Sequence, residues 1–291
     1  MKLGIIGGSG LYDVDGLDNC QEISIETPFG NPSDVFMSGS LNGLEIVFLP
    51  RHGRGHTILP HELNHQANIF AMKQLGVSHI VSFSAVGSLR EDYKPRDIVI
   101  VDQFFDRTKR SGDHTFFGNG VAGHISFAEP ICGELAQCVQ KAAREVIEDE
   151  SSESAVHMGA SYVNIEGPAF STKVESKLYK SWGLDVIGMT NIAEAKLARE
   201  AEIHYSTVAM VTDYDCWHED HYKTDLHFLI QNLMANTALA KLMIPKVVKG
   251  LKSLENQCSC DSAAKFAIVT QKDLIPPETV EMLETLYGRE I

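Results

Sequence analysis

The residues with the most chemical potential are two carboxylates, Asp213 and Asp215, in the stretch Thr212-Asp213-Tyr214-Asp215-Cys216-Trp217. They follow residues 205–211, a β-branched and apolar run that reads as a buried strand. An i, i+2 pair past a core strand sits where ligands collect in open α/β sheets, outside the carboxyl ends of the strands. A carboxylate in a half-dry pocket has a raised pKa, so it can hold or donate a proton near neutrality. Read alone, the same residues fit a solvated Asx turn about as well.

Other reactive residue types recur at comparable places. Gly7-Gly8-Ser9-Gly10 frees backbone amides and adds a hydroxyl, a combination suited to a phosphate oxygen. It fails as a dinucleotide fingerprint, because the required sixth glycine is missing whether counted from Gly8 or Gly10. Arg51, beside His52 in a glycine-rich loop, can offer a bidentate fork to phosphate, although a surface ion pair is the commoner fate of arginine. Ser84 and Thr190 would add hydroxyl donors and Ala85 a backbone donor. Walker A, Gly-x-Ser-x-Gly and His-Glu-x-x-His patterns are absent from the sequence. His218-Glu-Asp-His221 has metal-like spacing, but two histidines on a polar stretch read first as solvated, and no metal is expected. A phosphate cup, a protonatable carboxylate and an aromatic for stacking together suit phosphate attack on an anomeric carbon, expelling a base.

These residues need strands to carry them. Apolar runs at 2–6, 45–49, 79–83, 97–101, 161–165 and 185–188 read as strands, with helices at 60–75, 130–150, 171–182, 193–201 and 276–286 between or after them. A long helix over 225–250 is expected to break at Pro245, and residues 106–128 read as a long functional loop. The expectation is one α/β domain over 1–291, a twisted mixed β-sheet with helices on both faces, and 251–291 packed on it as an extension. If the strands share a sheet, Ser9, Arg51, Ser84, Phe170, Met189, Thr190 and Asp213 converge on one rim.

Of 291 residues, 44% are apolar, enough for a large core. Lys plus Arg is 25 against 39 Asp plus Glu, a net charge of −14 that argues against nucleic acid or an anionic membrane as partner. The N-terminus lacks a secretory pattern and no apolar run spans a bilayer, so the expected address is the cytoplasm. The six cysteines do not form a secreted disulfide scaffold. Cys258-Ser-Cys260 reads as two surface thiols or a local disulfide, with zinc improbable for want of a second Cys/His pair nearby.

The motifs in combination resemble the methylthioadenosine phosphorylase family, within the purine nucleoside phosphorylase superfamily. They include Gly-Ile-Ile-Gly-Gly-Ser-Gly at 4–10, Thr-Pro-Phe-Gly at 27–30, Arg-His-Gly-Arg at 51–54 and Asn-His-Gln-Ala-Asn-Ile at 64–69. Further along stand Gly-Ser-Leu-Arg-Glu at 87–91, Glu-Gly-Pro-Ala-Phe-Ser at 166–171, Met-Thr at 189–190 and Thr-Asp-Tyr-Asp-Cys-Trp at 212–217. The resemblance implies the superfamily's fold and a pentosyltransferase: phosphorolysis of 5′-methylthioadenosine to adenine and 5-methylthioribose 1-phosphate, in purine and methionine salvage. The alternative is a broader nucleoside phosphorylase acting on adenosine, inosine or guanosine. It implies that Ser9, Arg51, His52, Ser84, Ala85 and Thr190 bind phosphate, a co-substrate, with no cofactor. Met189 would lie against the ribose, Phe170 beside the base, and Asp213, Tyr214 and Asp215 around the purine, with Asp213 and Asp215 catalytic. Ser171 matches a specificity position, Leu226 and Leu229 a methylthio wall, and His124 a histidine that reaches a neighbour's sugar pocket in a trimer or dimer of trimers. Serine replaces the family's more usual threonine at 9 and 84, and 218–227 is more polar than expected beside a thioether. In some heat-adapted relatives a cysteine pair like Cys258 and Cys260 forms a disulfide.

Overall fold

The computed structural model describes residues 1–8, 11, 14–109, 111–219, 226–255 and 257–291, with side chains at all of these but Ser111 and Leu226. Among the described residues, nine strands form one mixed sheet: β1 (Leu3–Gly7), β2 (Leu17–Ile23), β3 (Phe36–Leu41), β4 (Leu44–Pro50), β5 (His79–Ser88), β6 (Ile98–Arg107), β7 (Val156–Ile165), β8 (Val186–Gly188) and β9 (His204–Tyr214). Their order is β2-β3-β4-β1-β5-β8-β7-β6-β9, and β9 pairs again with β5. That second pairing closes β5, β8, β7, β6 and β9 into a barrel filled by Val86, Val99, Val101, Tyr162, Val186, Ala209 and Val211. The mixed α/β sheet agrees with the sequence expectation. Its partial closure goes beyond it.

The parallel neighbours β4, β1, β5 and β9 carry the reactive residues. In register, Gly7 faces Pro50, Ile6 faces Ser82 and Gly87 faces Asp213, so the carboxyl ends of all four strands lie side by side. Strand interiors of Val, Ile and Phe are buried on both faces, as parallel strands require. Helices α1 (His65–Gln74), α2 (Gly133–Asp149), α3 (Lys173–Ser181), α4 (Asn191–Glu200), α5 (Leu226–Leu251) and α6 (Pro277–Tyr287) follow. The main core includes Leu283, Leu286 and Tyr287 of α6, so the C-terminal extension shares it.

Several boundaries differ from the sequence reading, each for a physical reason. Residues 60–62 form a separate 3-10 turn, and α1 begins only after Asn64, whose side chain accepts from the Ala67 amide. Helix α5 runs unbroken through Pro245, held by packing of Met243, Ile244, Val247 and Val248 in the core. Strand β2 escapes the patterning because its residues are polar and mostly exposed, as an edge strand allows. Strands β5 and β9 run farther than their apolar runs, through Ser88 and Tyr214, so Ser84, Ala85 and Asp213 lie on strands rather than beyond them.

Candidate active site

At the end of β9, alternation of side chains along the strand separates Asp213 and Asp215 from Tyr214. Burial pushes the Asp213 carboxyl up to about 6, with the Asp215 charge adding to the effect and the Thr212 hydroxyl opposing it. The Thr212 Oγ1 lies 2.7 Å from Asp213 Oδ1 and 3.2 Å from the Val86 carbonyl. When Asp213 is ionised, the hydroxyl donates to it. When Asp213 is protonated, the hydroxyl can turn its hydrogen to Val86, so the strand end accommodates both states.

Asp215 is also buried, and burial raises its pKa. Its amide donates to the Ser88 carbonyl at 2.9 Å, yet its Oδ2 has no partner among the described residues. A buried carboxylate oxygen without a donor is a receptor for one. The close approach depends on Gly87: a Cβ there would stand 3.3 Å from the Asp215 Cβ and 3.2 Å from the Ile187 side chain. Trp217 is buried and anchors the segment, its Nε1 donating to the Ser88 carbonyl at 2.8 Å.

Around β4 and β5 a buried polar network forms. Arg51 Nε donates to Glu194 Oε1 at 2.5 Å, Nη1 to the Phe83 carbonyl at 3.0 Å, and Nη2 to Ser82 Oγ at 2.6 Å and Glu194 Oε2 at 3.3 Å. Arg51 is therefore not an open fork in a loop, as its sequence context predicts; Glu194 from α4 occupies most of it. Burial pulls the Glu194 carboxyl up, but the charge and hydrogen bond of Arg51, with His65 and the Ser82 hydroxyl, together outweigh burial and hold it below the usual range. Tyr205 and Ser82 also donate to Glu194, at 2.9 and 2.6 Å. Asn191 Nδ2 donates to Ser82 Oγ at 2.9 Å, which brings the α4 start and Thr190 to the same place.

His52 has an assigned tautomer by elimination. Its Nδ1 lies 2.8 Å from the Ile58 carbonyl, which only accepts, so Nδ1 carries the hydrogen. Burial, with the Arg51 charge second, lowers its pKa to about 4, leaving a neutral ring whose Nε2 is an acceptor. Ser84 is buried, with its Oγ 3.5 Å from the Tyr162 hydroxyl inside the barrel. Thr190 is buried at the N-terminus of α4, where helix amides favour an anion.

Met189 lines a small open cleft together with Asn164, Glu166, His61, His65 and His114. The Nδ1 atoms of these three histidines are buried without partners among the described residues. Burial lowers His65 to about 3, and lowers His114 as well, so each ring is neutral, with one donor and one acceptor nitrogen. Sequence reasoning overlooked these histidines and Glu194. Only the Asn-His-Gln-Ala-Asn motif touches one of them.

Other expected residues stand apart. The Tyr214 phenol donates to the Glu91 carbonyl at 3.0 Å on the opposite face, so its side chain does not join the two carboxylates. Phe170 is 82% exposed, and Ser171 has a buried Oγ without a partner among the described residues. Ala85 is exposed on β5, Leu229 half-buried on α5, and His124 exposed, its amide donating to the Ala267 carbonyl at 2.8 Å. Ser9, His221 and the Leu226 side chain lie outside the described residues. His218 pairs with Glu91 at 3.4 Å.

A family model described as the phosphorylase superfamily matches residues 2–245. A protein of Geobacter sulfurreducens called S-methyl-5′-thioadenosine phosphorylase is 52% identical, covering 98% of both chains. The chain belongs to the S-methyl-5′-thioadenosine phosphorylase family of this superfamily. A Gloeobacter violaceus member of the family is also 52% identical, over 99% of this chain and 95% of that one. The crystal structure of a methylthioadenosine phosphorylase from an antarctic soil metagenomic library superposes with a TM-score of 0.93 at 45% identity, covering 98% of each chain. A Schistosoma mansoni adenosine/methylthioadenosine phosphorylase variant, solved with methylthioadenosine, has a TM-score of 0.81 at 32% identity, covering 94% of this chain and all of that one.

Proposed function

We propose that the chain cleaves the N-glycosidic bond of 5′-methylthioadenosine with inorganic phosphate, giving adenine and 5-methylthioribose 1-phosphate. The observation that carries the choice of base is the pair at the end of β9: Asp213, protonatable near neutrality, beside Asp215 with a buried oxygen awaiting a donor. Adenine offers the complement on one edge, N7 as acceptor and its exocyclic amine as donor, whereas guanine offers two acceptors there. Protonated Asp213 donates to N7 and draws electrons into the leaving base as the bond breaks. Asp215 takes the amine and rejects an oxopurine carbonyl, which would leave two acceptors facing.

Phosphate enters on the opposite side of the sugar, at the α4 N-terminus with Thr190, Ser84, His52, the Ala85 amide and Arg51, and Ser9 is assigned to the same role. Its negative charge stabilises the oxocarbenium-like transition state, and one oxygen then bonds to the anomeric carbon. Neutral His52 accepts at Nε2, so it suits a phosphate oxygen that still carries hydrogen. Met189 is assigned to the ribose and Phe170 to the base, with Leu226 and Leu229 assigned to the methylthio group and Ser171 to specificity. No metal or organic cofactor takes part in the reaction.

The active form is a homo-oligomer, a trimer or a dimer of trimers, working in the cytoplasm. Exposed Phe105, Phe170, Val174, Leu178 and Trp182 support it, since soluble chains rarely leave such a concentration of large apolar side chains open. His124, exposed in one chain, would complete a neighbour's sugar pocket. The test is release of free base from methylthioadenosine, adenosine and inosine, with and without phosphate. The proposal expects phosphate-dependent release, fastest from the adenine nucleosides; inosine cleaved faster would overturn the role of Asp213 and Asp215.

A further inference from the structure

The fold brings together four residues from three separate parts of the chain. Cys132 caps the start of α2, His204 opens β9, and Cys258 and Cys260 stand in the C-terminal extension. Their ligand atoms all lie within 4.8 Å of one another. Cys132, His204 and Cys260 are buried and Cys258 is half-buried, which corrects the reading of the last two as surface thiols. We infer that Cys132, His204, Cys258 and Cys260 form a closed tetrahedral site for a structural zinc ion, through three sulfurs and the His204 Nδ1.

The distances among three of the four ligand atoms carry the inference, with the Cys260 Sγ within 4.8 Å of each of them. The edges of a zinc tetrahedron follow from its bond lengths: about 3.8 Å between two sulfurs and about 3.6 Å between a sulfur and an imidazole nitrogen. Cys132 Sγ stands 3.7 Å from Cys258 Sγ, and His204 Nδ1 stands 3.4 Å from Cys132 Sγ and 3.3 Å from Cys258 Sγ. A disulfide would need sulfurs about 2.0 Å apart, and all of these cysteines are free. Hydrogen bonding alone serves the cluster poorly, because a single Nδ1 lone pair cannot accept from two thiols at once. A cation between them satisfies every ligand atom.

Soft thiolates with one imidazole in a closed, buried cage select zinc over calcium or magnesium. Binding releases the three thiol protons and leaves the site with one net negative charge. The N-terminus of α2 beside Cys132 offsets part of that charge. The ion ties the extension to the start of β9, the strand that ends in Asp213 and Asp215. The same extension holds the segment carrying His124: Ala267 accepts from the His124 amide at 2.8 Å, and the Val269 amide donates to Ala122 at 2.9 Å. The site is distinct from the one proposed for the reaction, and its ion is structural.

The test uses the full chain purified under reducing conditions, with metal measured by mass spectrometry and the site reloaded with cobalt as a probe. One zinc per chain is expected. The cobalt form should show the strong visible bands of tetrahedral coordination and sulfur-to-metal charge transfer. Cys260→Ser should lose both and melt at lower temperature; Cys258→Ser, at a less buried position, provides the same comparison if the first variant fails to fold. Cys20→Ser should keep the metal. Three results would each overturn the inference: no stoichiometric zinc or cobalt uptake after reduction, equal metal in Cys258→Ser, or two thiols missing from the denatured, metal-free chain, which marks a disulfide instead.

Discussion

Arg51 and Glu194, far apart in sequence, meet as a buried ion pair with Nε 2.5 Å from Oε1, and the Arg51 and Glu194 side chains are 4% and 2% exposed. The pair joins the end of β4 to α4, and with Ser82 and Tyr205 it forms a buried network beneath the proposed phosphate site. Removing one partner leaves an uncompensated charge in the interior. Glu194→Ala should therefore cost about 3–5 kcal/mol in denaturant unfolding. Stability unchanged within error would show that water reaches the pair.

Asp213 sets the expected pH dependence. Its folded pKa is raised to about 6, so the donor form is full below that value and declines above it. At saturating phosphate, kcat/KM for adenine nucleosides should fall about tenfold per unit once pH is well above the Asp213 pKa. Asp213→Asn should remove that limb and about 10²–10⁴-fold of turnover while still binding phosphate. The comparison of the two pH–rate profiles decides it; an unchanged limb in the variant would assign it to another group.

Tyr214 and Asp215 are neighbours with opposite fates. The phenol bonds to Glu91 behind the strand, so Tyr214→Phe should cost about 1 kcal/mol of stability and leave KM and kcat alone. Asp215→Asn should do the reverse, raising KM for adenine nucleosides and narrowing their advantage over inosine. Steady-state kinetics on both nucleosides, beside thermal melts, separate the roles.

Gly87 is a packing constraint on the site. Gly87→Ala places a methyl carbon 3.2–3.3 Å from Ile187 and Asp215, so β5 or the acidic segment must give way. Overpacking of this kind costs about 1–3 kcal/mol, and a displaced Asp215 should lower kcat/KM as well. Retained kinetics would show that the segment after β9 moves without consequence.

The parts legible in the sequence were those written locally. Apolar runs ending at polar residues located β1, β4, β5, β8 and β9, and the motifs around Arg51, Met189 and Asp213 pointed to the family. What the chain does at long range was not legible. Barrel closure depends on β5 meeting β9, which no local period announces. Arg51 looked free because Glu194 is a helix residue with ordinary surroundings in sequence. The cysteine pair looked unpartnered because its partners, Cys132 and His204, come from the start of a helix and the start of a strand.

Phosphorus NMR of a reaction with methylthioadenosine and inorganic phosphate distinguishes phosphorolysis from hydrolysis most directly. Phosphorolysis should give a new sugar phosphomonoester resonance that grows in step with released adenine. Adenine released with the phosphate signal unchanged would mean hydrolysis, and would contradict it.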